Sequence, residues 1–272
     1  MKFNNSNVYN FEGAFRGMRN PMNSWDKSDS YFGVINSLYS IDNKLDDVVN
    51  AWVEEKTKVS YLKITQDDIF YKLLSKGCLK KFEHDKVCEV AFIGPRDLEL
   101  AQKLVSAGTE HAKFLRQIFV SVDITAPLYW WKEFDTYKVG TVANSTSTMH
   151  KLSSSPITKE MFEFDDNADD LVVSQGKSIC GEWEYVFGDY IEDIVDMCEN
   201  LRLKFKETND IKYWRALIQL LPSAYLQTRT VTMSYANLRN IYFQRLAHKL
   251  SEWHEFCDWL ETLPWAEELI TL

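Results

Sequence analysis

One strand constrains the fold of this chain more than any other feature. Residues 116–125, RQIFVSVDIT, alternate between apolar and polar side chains. The apolar positions are Ile118, Val120, Val122 and Ile124. A period of two with β-branched enrichment is typical of a strand that buries one face. The chain must therefore form a sheet and cover that face with other elements.

A segment that is both aromatic and polar follows this strand directly, at 126–150 (APLYWWKEFDTYKVGTVANSTSTMH). Pro127 stands at the first position of a short amphipathic helix predicted over 127–138. Glycine, threonine, serine and asparagine then predict a loop over 139–148, or a loop that leads into a new element. Two interpretations remain open: a ligand site, or a Ser/Thr-rich connection beside aromatic residues.

Periodicity and end signals predict the other elements. We expect helices over 38–56, 95–106, about 181–208, 211–221 and most of 237–263, and a further helix that begins after Thr65. Thr65 opens a capping box, Gly108 follows the end of the helix at 95–106, and Asn209 or Asp210 caps the helix at 211–221. A second strand is expected at 227–235. Residues 11–30 are expected to form an ordered loop that leaves Arg16 and Arg19 available to an anion.

Composition limits the class of protein. The 272 residues carry a net charge of −9, which argues against general binding to nucleic acid polymers or anionic membranes. No long apolar window and no secretory signal are visible, so we expect a cytoplasmic protein. The five cysteines are widely spaced, which predicts reduced thiols and no metal site. His111 and His150 are isolated and are more simply structural than catalytic bases.

Residues 108–149 resemble the central segment of flavin-dependent thymidylate synthases. Gly108-Thr109-Glu110-His111, the strand, Ala126-Pro127-Leu128 and an aromatic helix follow in the order of that family. The family signature R-H-R-x7-S then falls on Thr136-Tyr137-Lys138 and Thr146. In the C-terminal part, the helix ending in Leu221-Pro222, the next strand and the last long helix place Arg245 on the nucleotide-contacting arginine of the family.

The resemblance implies an α+β fold, an antiparallel or mixed sheet flanked by long helices. It also implies a single domain over 1–272, with a helical insertion at about 26–95 and a surface excursion at about 151–178. It assigns catalytic roles to Arg245 and Lys138. The residues implied for nucleotide binding are Glu133, Thr136, Asn144, Thr146, Ser147, Thr148 and Arg245. Those implied for the cofactor are Tyr137, Lys138, Thr141 and Asn144.

The expected reaction transfers a one-carbon unit from methylene-tetrahydrofolate to C5 of a pyrimidine deoxynucleotide such as dUMP. The resemblance implies FAD as cofactor, NADPH as reductant and a homotetramer with shared sites. This chain departs from the family pattern: Thr136 and Tyr137 replace the first arginine and the histidine of the signature, and Lys138 keeps a positive charge without the fork of an arginine. Thr148 stands at a further arginine, two residues beyond the signature serine. Arg16, Arg19, Lys132 or Arg229 would have to supply the lost charge.

Two other functions stay open. The fold can persist as a catalytically inactive homologue that binds nucleotides or a protein partner. Alternatively, an unrelated helical protein can dock another chain through a tryptophan-rich C-terminal segment, with Trp253, Trp259 and Trp265 as anchors.

Overall fold

The computed structural model describes residues 1–35, 43–58, 64–80, 88–165 and 168–272, and of His150 only the backbone. The strands are β1 (Lys2–Tyr9), β2 (Tyr31–Ile35), β3 (Cys88–Phe92), β4 (Phe119–Pro127), β5 (Val142–Ser145), β6 (Val172–Ser178), β7 (Gly181–Val186) and β8 (Leu226–Ser234). The helices are α1 (Phe11–Arg19), α2 (Asn43–Thr57), α3 (Gln66–Gly77), α4 (Pro95–Ser106), α5 (Leu128–Phe134), α6 (Thr148–Lys151), α7 (Phe187–Thr208), α8 (Ile211–Leu220), α9 (Tyr235–Arg245), α10 (Ser251–Glu261) and α11 (Ala266–Leu269).

The main sheet has the strand order β1-β4-β8-β5. Strand β2 pairs antiparallel with β3, with Tyr31 opposite Phe92, and β6 pairs antiparallel with β7, with Ser178 opposite Gly181. Helices and antiparallel strands occur together, so the α+β class predicted from the sequence is confirmed. Among the described residues, no helix is both long enough and apolar enough to cross a membrane.

The chain divides into two compact units. The first unit comprises Met1–Lys2, Ile124–Thr136 and Asn144–Arg229. Its hydrophobic cluster is formed by residues from α7, α8 and the 151–165 segment, including Ile191, Val195, Cys198, Leu217, Leu152 and Phe162. These side chains cover one another because α7, 22 residues long, repeats apolar positions along one face.

The second unit comprises Phe3–Asp123, Tyr137–Ala143 and Thr230–Leu272. Its core is aromatic: the ring of Phe11 meets that of Tyr235 edge-on, and the ring of Phe15 meets that of Phe114 in the same way. The rings of Trp253, Trp259 and Trp265 are also buried. The prediction that a partner docks on these three tryptophans is therefore wrong, because their side chains are buried within this unit.

Several local predictions are confirmed. The apolar face of the predicted strand is fully buried, with Val120, Val122 and Ile124 of β4 and Ile118 just before it each 0% exposed. Thr65 forms the expected capping box with Asp68 at the start of α3. Asp210 caps α8 by accepting a hydrogen bond from the backbone N–H of Lys212 at 2.9 Å. Each of these features depends on residues close to one another in sequence, which explains why the sequence alone could predict them.

Three predicted elements are wrong. Residues 11–19 form helix α1 and not a loop, because apolar residues at helical spacing, among them Phe11, Phe15 and Met18, are buried along one face. Gly17 of this helix packs close to Gln117, whose Oε1 would lie 2.7 Å from a Cβ at that position. The helix expected from about 181 begins only at Phe187, because residues 181–186 form β7. The long last helix is divided into α9 and α10. Part of the predicted insertion at 26–95 lies outside the described residues, and the single-domain assignment stays a prediction.

Candidate functional site

A directed chain of hydrogen bonds joins two of the predicted site residues in the second unit. Arg245 Nε donates to the Tyr137 hydroxyl at 2.7 Å, and this hydroxyl donates to Gln244 Oε1 at 3.0 Å. Gln244 Nε2 then donates to Asn240 Oδ1 at 2.9 Å. Since Gln244 and Asn240 lie one turn apart on α9, the chain fixes the orientation of both amides. Tyr137 thus connects the arginine to the polar face of the helix.

Aromatic rings hold the guanidinium of Arg245. Its Cζ lies 4.5 Å from the ring centroid of Trp253 and 5.4 Å from that of Tyr137. Trp253 is fully buried and Arg245 is half-buried. A planar guanidinium stacks on such rings while keeping its charge, which lysine cannot do as well. Arg245 is therefore a fixed positive charge.

The side-chain amides of Asn240 and Gln244 line a cavity of about 700 Å³, here called the α9 cavity. Its polar wall includes Arg116, Asn237, Arg239, Asn240 and Gln244. Its apolar wall includes Ala112, Leu115, Phe119 and Phe243. A volume of roughly 300–1,000 Å³ with mainly apolar lining and a few polar groups is typical of small-molecule and cofactor sites. The α9 cavity has the size and lining of such a site.

The floor of the α9 cavity includes Val139 and Gly140, which belong to the segment that the sequence singled out. Asn237 Nδ2 donates to the Val139 carbonyl at 2.5 Å and ties this loop to the start of α9. Gly140 has φ +74°, and a Cβ there would lie 3.0 Å from Asn237 Oδ1. Glycine is required on both counts, because the backbone is left-handed and the contact is tight.

Two cations and one hydroxyl complete the polar lining and its surroundings. Arg116 is exposed, and its nearest ion-pair partner is Glu110, at 4.0 Å. Arg239 donates to the main-chain oxygen of Ile270 at 2.6 Å, and burial lowers the pKa of its guanidinium, which still stays protonated at neutral pH. Next to Gly140, the Thr141 hydroxyl oxygen is buried and has no hydrogen-bond partner within the described part of the chain.

In the first unit a second polar cluster surrounds Arg229. Arg229 Nη1 pairs with Asp135 at 2.7 Å, and its Nε donates to Gln227 Oε1 at 3.0 Å. The guanidinium also lies 4.2 Å from the ring centroid of the buried Trp131. Trp131 Nε1 donates to the Gln227 carbonyl at 2.9 Å. Three contacts therefore hold the Arg229 guanidinium, those with Asp135, Gln227 and the ring of Trp131.

Thr146 belongs to this cluster through its backbone. Its N–H donates to the Thr228 carbonyl, and its carbonyl accepts from Gln227 Nε2, both at 2.9 Å. Thr136 lies at the end of α5, where its hydroxyl donates to the Glu133 carbonyl at 2.7 Å. This bond satisfies the last turn of the helix, so the proton of the Thr136 hydroxyl is engaged locally.

The remaining predicted residues differ in exposure. Lys138 is exposed in the second unit; in the first unit Asn144 is exposed, whereas Glu133, Ser147 and Thr148 are half-buried. Of the proposed substitute cations, Arg19 is unavailable, because it is buried and its Nε donates to Asp97 at 2.6 Å. Arg16 and Lys132 are exposed. His111 is exposed, and the side chain of His150 lies outside the described residues.

Sequence reasoning missed the polar residues that complete each cluster. In the second unit these are Asn237, Asn240 and Gln244, and in the first unit Gln227 and Asp135. Asn237, Asn240 and Gln244 share a helix with Arg245, and the spacing Asn240–Gln244 is i, i+4. That spacing could have predicted the interaction between the two amides, because residues at i and i+4 lie on the same face of a helix.

Comparison with solved structures finds similarity to two kinds of enzyme. The flavin-dependent thymidylate synthase ThyX from Helicobacter pylori, solved with FAD and dUMP, is 15% identical, with a TM-score of 0.48 over 88% of this chain and 97% of that chain. This chain is similar in structure to flavin-dependent thymidylate synthases. The UMP/dUMP methylase PolB from Streptomyces cacaoi, bound with 5-Br dUMP, is 14% identical, with a TM-score of 0.44 over 88% of this chain and 91% of that chain. No protein-family model and no curated protein sequence matches.

Proposed function

We propose that this protein binds FAD in the α9 cavity and transfers a one-carbon unit from methylene-tetrahydrofolate to C5 of a pyrimidine deoxynucleotide, dUMP or a close relative. NADPH is the proposed reductant. The supporting observation is the hydrogen-bond chain from Arg245 through Tyr137 to the amides of Gln244 and Asn240, because it places oriented amides on the wall of a cofactor-sized cavity.

The lining of the α9 cavity fits a flavin. The edge of a flavin alternates hydrogen-bond donors and acceptors, and side-chain amides such as that of Asn240 offer both. Phe119 and Phe243 provide apolar surface for the rings, and the exposed Arg116 offers positive charge to a phosphate. The buried Thr141 hydroxyl adds a polar group without a partner in the described part of the chain. When bound, a flavin supplies hydride chemistry.

The protein residues then bind and orient. Tyr137 holds Arg245 and the Gln244 amide in fixed directions, which lowers the entropy lost when a ligand binds. We keep Lys138 and Arg245 as the proposed catalytic cations. The proposed nucleotide contacts remain Glu133, Thr136, Asn144, Thr146, Ser147 and Thr148, and Thr141 and Asn144 remain proposed for the cofactor.

Flavin titration tests the cofactor part of this proposal. Purified protein is titrated with FAD, and the quenching of flavin fluorescence gives the Kd. Asn240→Ala is expected to raise this Kd at least about tenfold, which corresponds to about 1.4 kcal/mol. Asn200→Ala, at an exposed position on α7, is the matched control and should leave the Kd unchanged. Protein that stays colourless after reconstitution with FAD would contradict the assignment.

A second assay tests the nucleotide chemistry. Release of tritium from dUMP labelled at C5 reports bond breaking at the carbon that receives the one-carbon unit. We expect release that depends on added FAD, NADPH and methylene-tetrahydrofolate, and loss of at least about tenfold in Arg245→Ala. Full release from Arg245→Ala protein would rule out the proposed role of this arginine.

A catalytically inactive, nucleotide-binding homologue is the second candidate. It is favoured by the engagement of the substitute cations: Arg229 is paired with Asp135, and Arg19 is paired with Asp97. In that case FAD or dUMP binds with a measurable Kd, while no tritium is released under any combination of co-substrates.

The proposal includes assembly as a homotetramer whose sites are shared between subunits. Light scattering of the purified protein measures its mass, for which one chain contributes 31.8 kDa. A monomer that nevertheless turns over would eliminate shared sites while leaving the proposed reaction intact.

A further inference from the structure

A second, smaller cavity lies in the second unit between α2, α3 and α11. Its lining combines the indole rings of Trp52 and Trp265 with three lysines, Lys56, Lys72 and Lys76. Ile69, Leu73 and Glu268 complete it, and we call it the lysine–tryptophan cavity. Its volume is about 80 Å³. Lys72 is exposed, so the cavity opens to solvent at this side chain.

The indole rings are fixed by hydrogen bonds to the backbone of β3 and the residue after it. Trp52 Nε1 donates to the Ile93 carbonyl at 2.8 Å, and Trp265 Nε1 donates to the Ala91 carbonyl at 2.7 Å. Their polar atoms are therefore satisfied, and the faces and edges that remain are apolar. The lysine–tryptophan cavity is preorganised for a flat, apolar group.

The charges of the lysine–tryptophan cavity do not balance. Lys76 is engaged by Glu267 at 2.8 Å and by Glu268. Burial lowers the pKa of Lys76, but hydrogen bonds to these carboxylates and their negative charge together outweigh burial and hold the pKa above its ordinary value. Lys56 lies 5.8 Å from the ring centroid of Trp52, and among the described residues neither Lys56 nor Lys72 forms an ion pair. Lys72 also attracts Glu267 electrostatically, but within the described ranges neither ammonium group has a directly paired carboxylate, so both can bind an anion.

Glu268 provides the third feature. One of its carboxylate oxygens accepts from Lys76, while the other, Oε2, is buried and has no hydrogen-bond partner within the described ranges. A buried acceptor without a donor destabilises the protein, because it has lost its hydrogen bonds to water. A ligand that donates a hydrogen bond to Glu268 Oε2 removes this cost.

We propose that the lysine–tryptophan cavity binds a small aromatic carboxylate that carries a hydroxyl or amino group. The carboxylate pairs with Lys56 and Lys72, the ring contacts Trp52 and Trp265, and the hydroxyl or amino group donates to Glu268. An apolar cavity of about 150 Å³ suffices for benzene, so 80 Å³ admits the leading part of a single ring, and the rest lies in the open mouth. A mononucleotide or FAD does not fit.

Tryptophan side-chain resonances provide a local readout. In ¹⁵N-labelled protein, the indole N–H signals of Trp52 and Trp265 are assigned by Trp52→Phe and Trp265→Phe. The wild type is then titrated with 3-hydroxybenzoate, 4-hydroxybenzoate, benzoate, phenol and inorganic phosphate. We expect saturable shifts of these two indole signals, with one hydroxybenzoate binding at least about fivefold more tightly than benzoate, phenol or phosphate.

Lysine variants test the charge. Lys56→Met and Lys72→Met should each weaken binding of the preferred hydroxybenzoate by about fivefold to tenfold. Lys103→Met removes an exposed lysine of α4 that does not line the cavity, and should have no effect. The side chains of Lys56 and Lys72 both reach solvent, so we expect these variants to fold. If one does not fold, the titrations of the wild type with the five probes still test the proposal.

Three results would overturn the proposal: no saturable shift with any probe, equal affinity for phosphate and the hydroxybenzoates, or unchanged affinity in both cavity variants. The proposal does not rest on the flavin-dependent reaction. FAD and dUMP should leave the Trp52 signal in place, so failure of one proposal is distinguishable from failure of the other.

Discussion

Replacing Tyr137 by phenylalanine removes one oxygen atom and leaves the ring in place. That oxygen accepts from Arg245 Nε at 2.7 Å and donates to Gln244 Oε1 at 3.0 Å. The ring keeps its edge contact with Trp253, whose centroid lies 6.1 Å away. The substitution therefore isolates the two hydrogen bonds that link the predicted residues to the α9 cavity.

The magnitude follows from the kinds of bond that are lost. A hydrogen bond to a charged group contributes about 1.5–3 kcal/mol and a neutral one about 0.5–1.5 kcal/mol. Tyr137 and Arg245 are both half-buried, so water replaces part of each bond and the lower ends of these ranges apply. We expect Tyr137→Phe to lower the free energy of unfolding by about 2 kcal/mol, a fall in Tm of about 4–8 °C.

Urea denaturation followed by tryptophan fluorescence measures the stability. Tyr71→Phe is the matched control, because Tyr71 is 61% exposed on α3. Flavin titration is run on the same proteins, and we expect weaker FAD binding only in Tyr137→Phe, since the Gln244 amide loses its fixed orientation. A double-mutant cycle with Gln244→Ala should show coupling of at least about 0.5 kcal/mol.

A difference in stability of less than about 0.5 kcal/mol between Tyr137→Phe and Tyr71→Phe would rule out a stabilising role of the Tyr137 hydroxyl, because effects smaller than that are not resolved between distant sites. A Tyr137→Phe protein that is destabilised but binds FAD normally would keep the hydrogen-bond chain as a structural feature and separate it from the cofactor.

Three further predictions concern the rest of the molecule. Asp97→Asn should cost about 3–5 kcal/mol in urea denaturation, because Asp97 is buried and pairs with Arg19, whereas Asp26→Asn at an exposed position should be neutral. The hydrogen bond from Arg202 lowers the pKa of Glu199 below its ordinary value of 4.5. The ionised Glu199 therefore stabilises the folded state above that pH, and this stabilisation is lost as the pH falls through the lower pKa of the folded state. The free energy of unfolding of Glu199→Gln, measured against pH, should fall less steeply in acid than that of the wild type. A thiol reagent should label the exposed Cys180 fastest, and slow labelling of Cys198 is expected because burial raises the pKa of its thiol to about 11; rapid loss of both thiols in native protein would contradict this.

The α9 cavity and the lysine–tryptophan cavity are proposed to bind ligands of different size and chemistry. The first needs a large, flat cofactor that contacts amides and arginines, and the second admits the edge of one small ring. Both cavities belong to the second unit and share no lining residue, so variants of one serve as controls for the other.

The sequence alone determined the elements whose causes are local. The buried face of β4 follows from alternation of β-branched residues, and the ends of α3 and α8 follow from Thr65 and Asp210, which cap their own helices. The importance of the segment after β4 was likewise readable, because its aromatic and hydroxyl residues are unlike those of a plain core helix. Val139 and Gly140 of this segment do line the α9 cavity.

The contacts between residues distant in sequence became visible only in the folded chain. Tyr137 and Arg245 are 108 positions apart, and no periodicity relates them. Gly17, which contributed to the loop prediction for 11–30, instead permits close packing of α1 against Gln117. The pairing of β7 with β6 overrides a helical pattern. Local preferences amount to less than about 1 kcal/mol per residue, so long-range packing and strand pairing outweigh them where the two disagree.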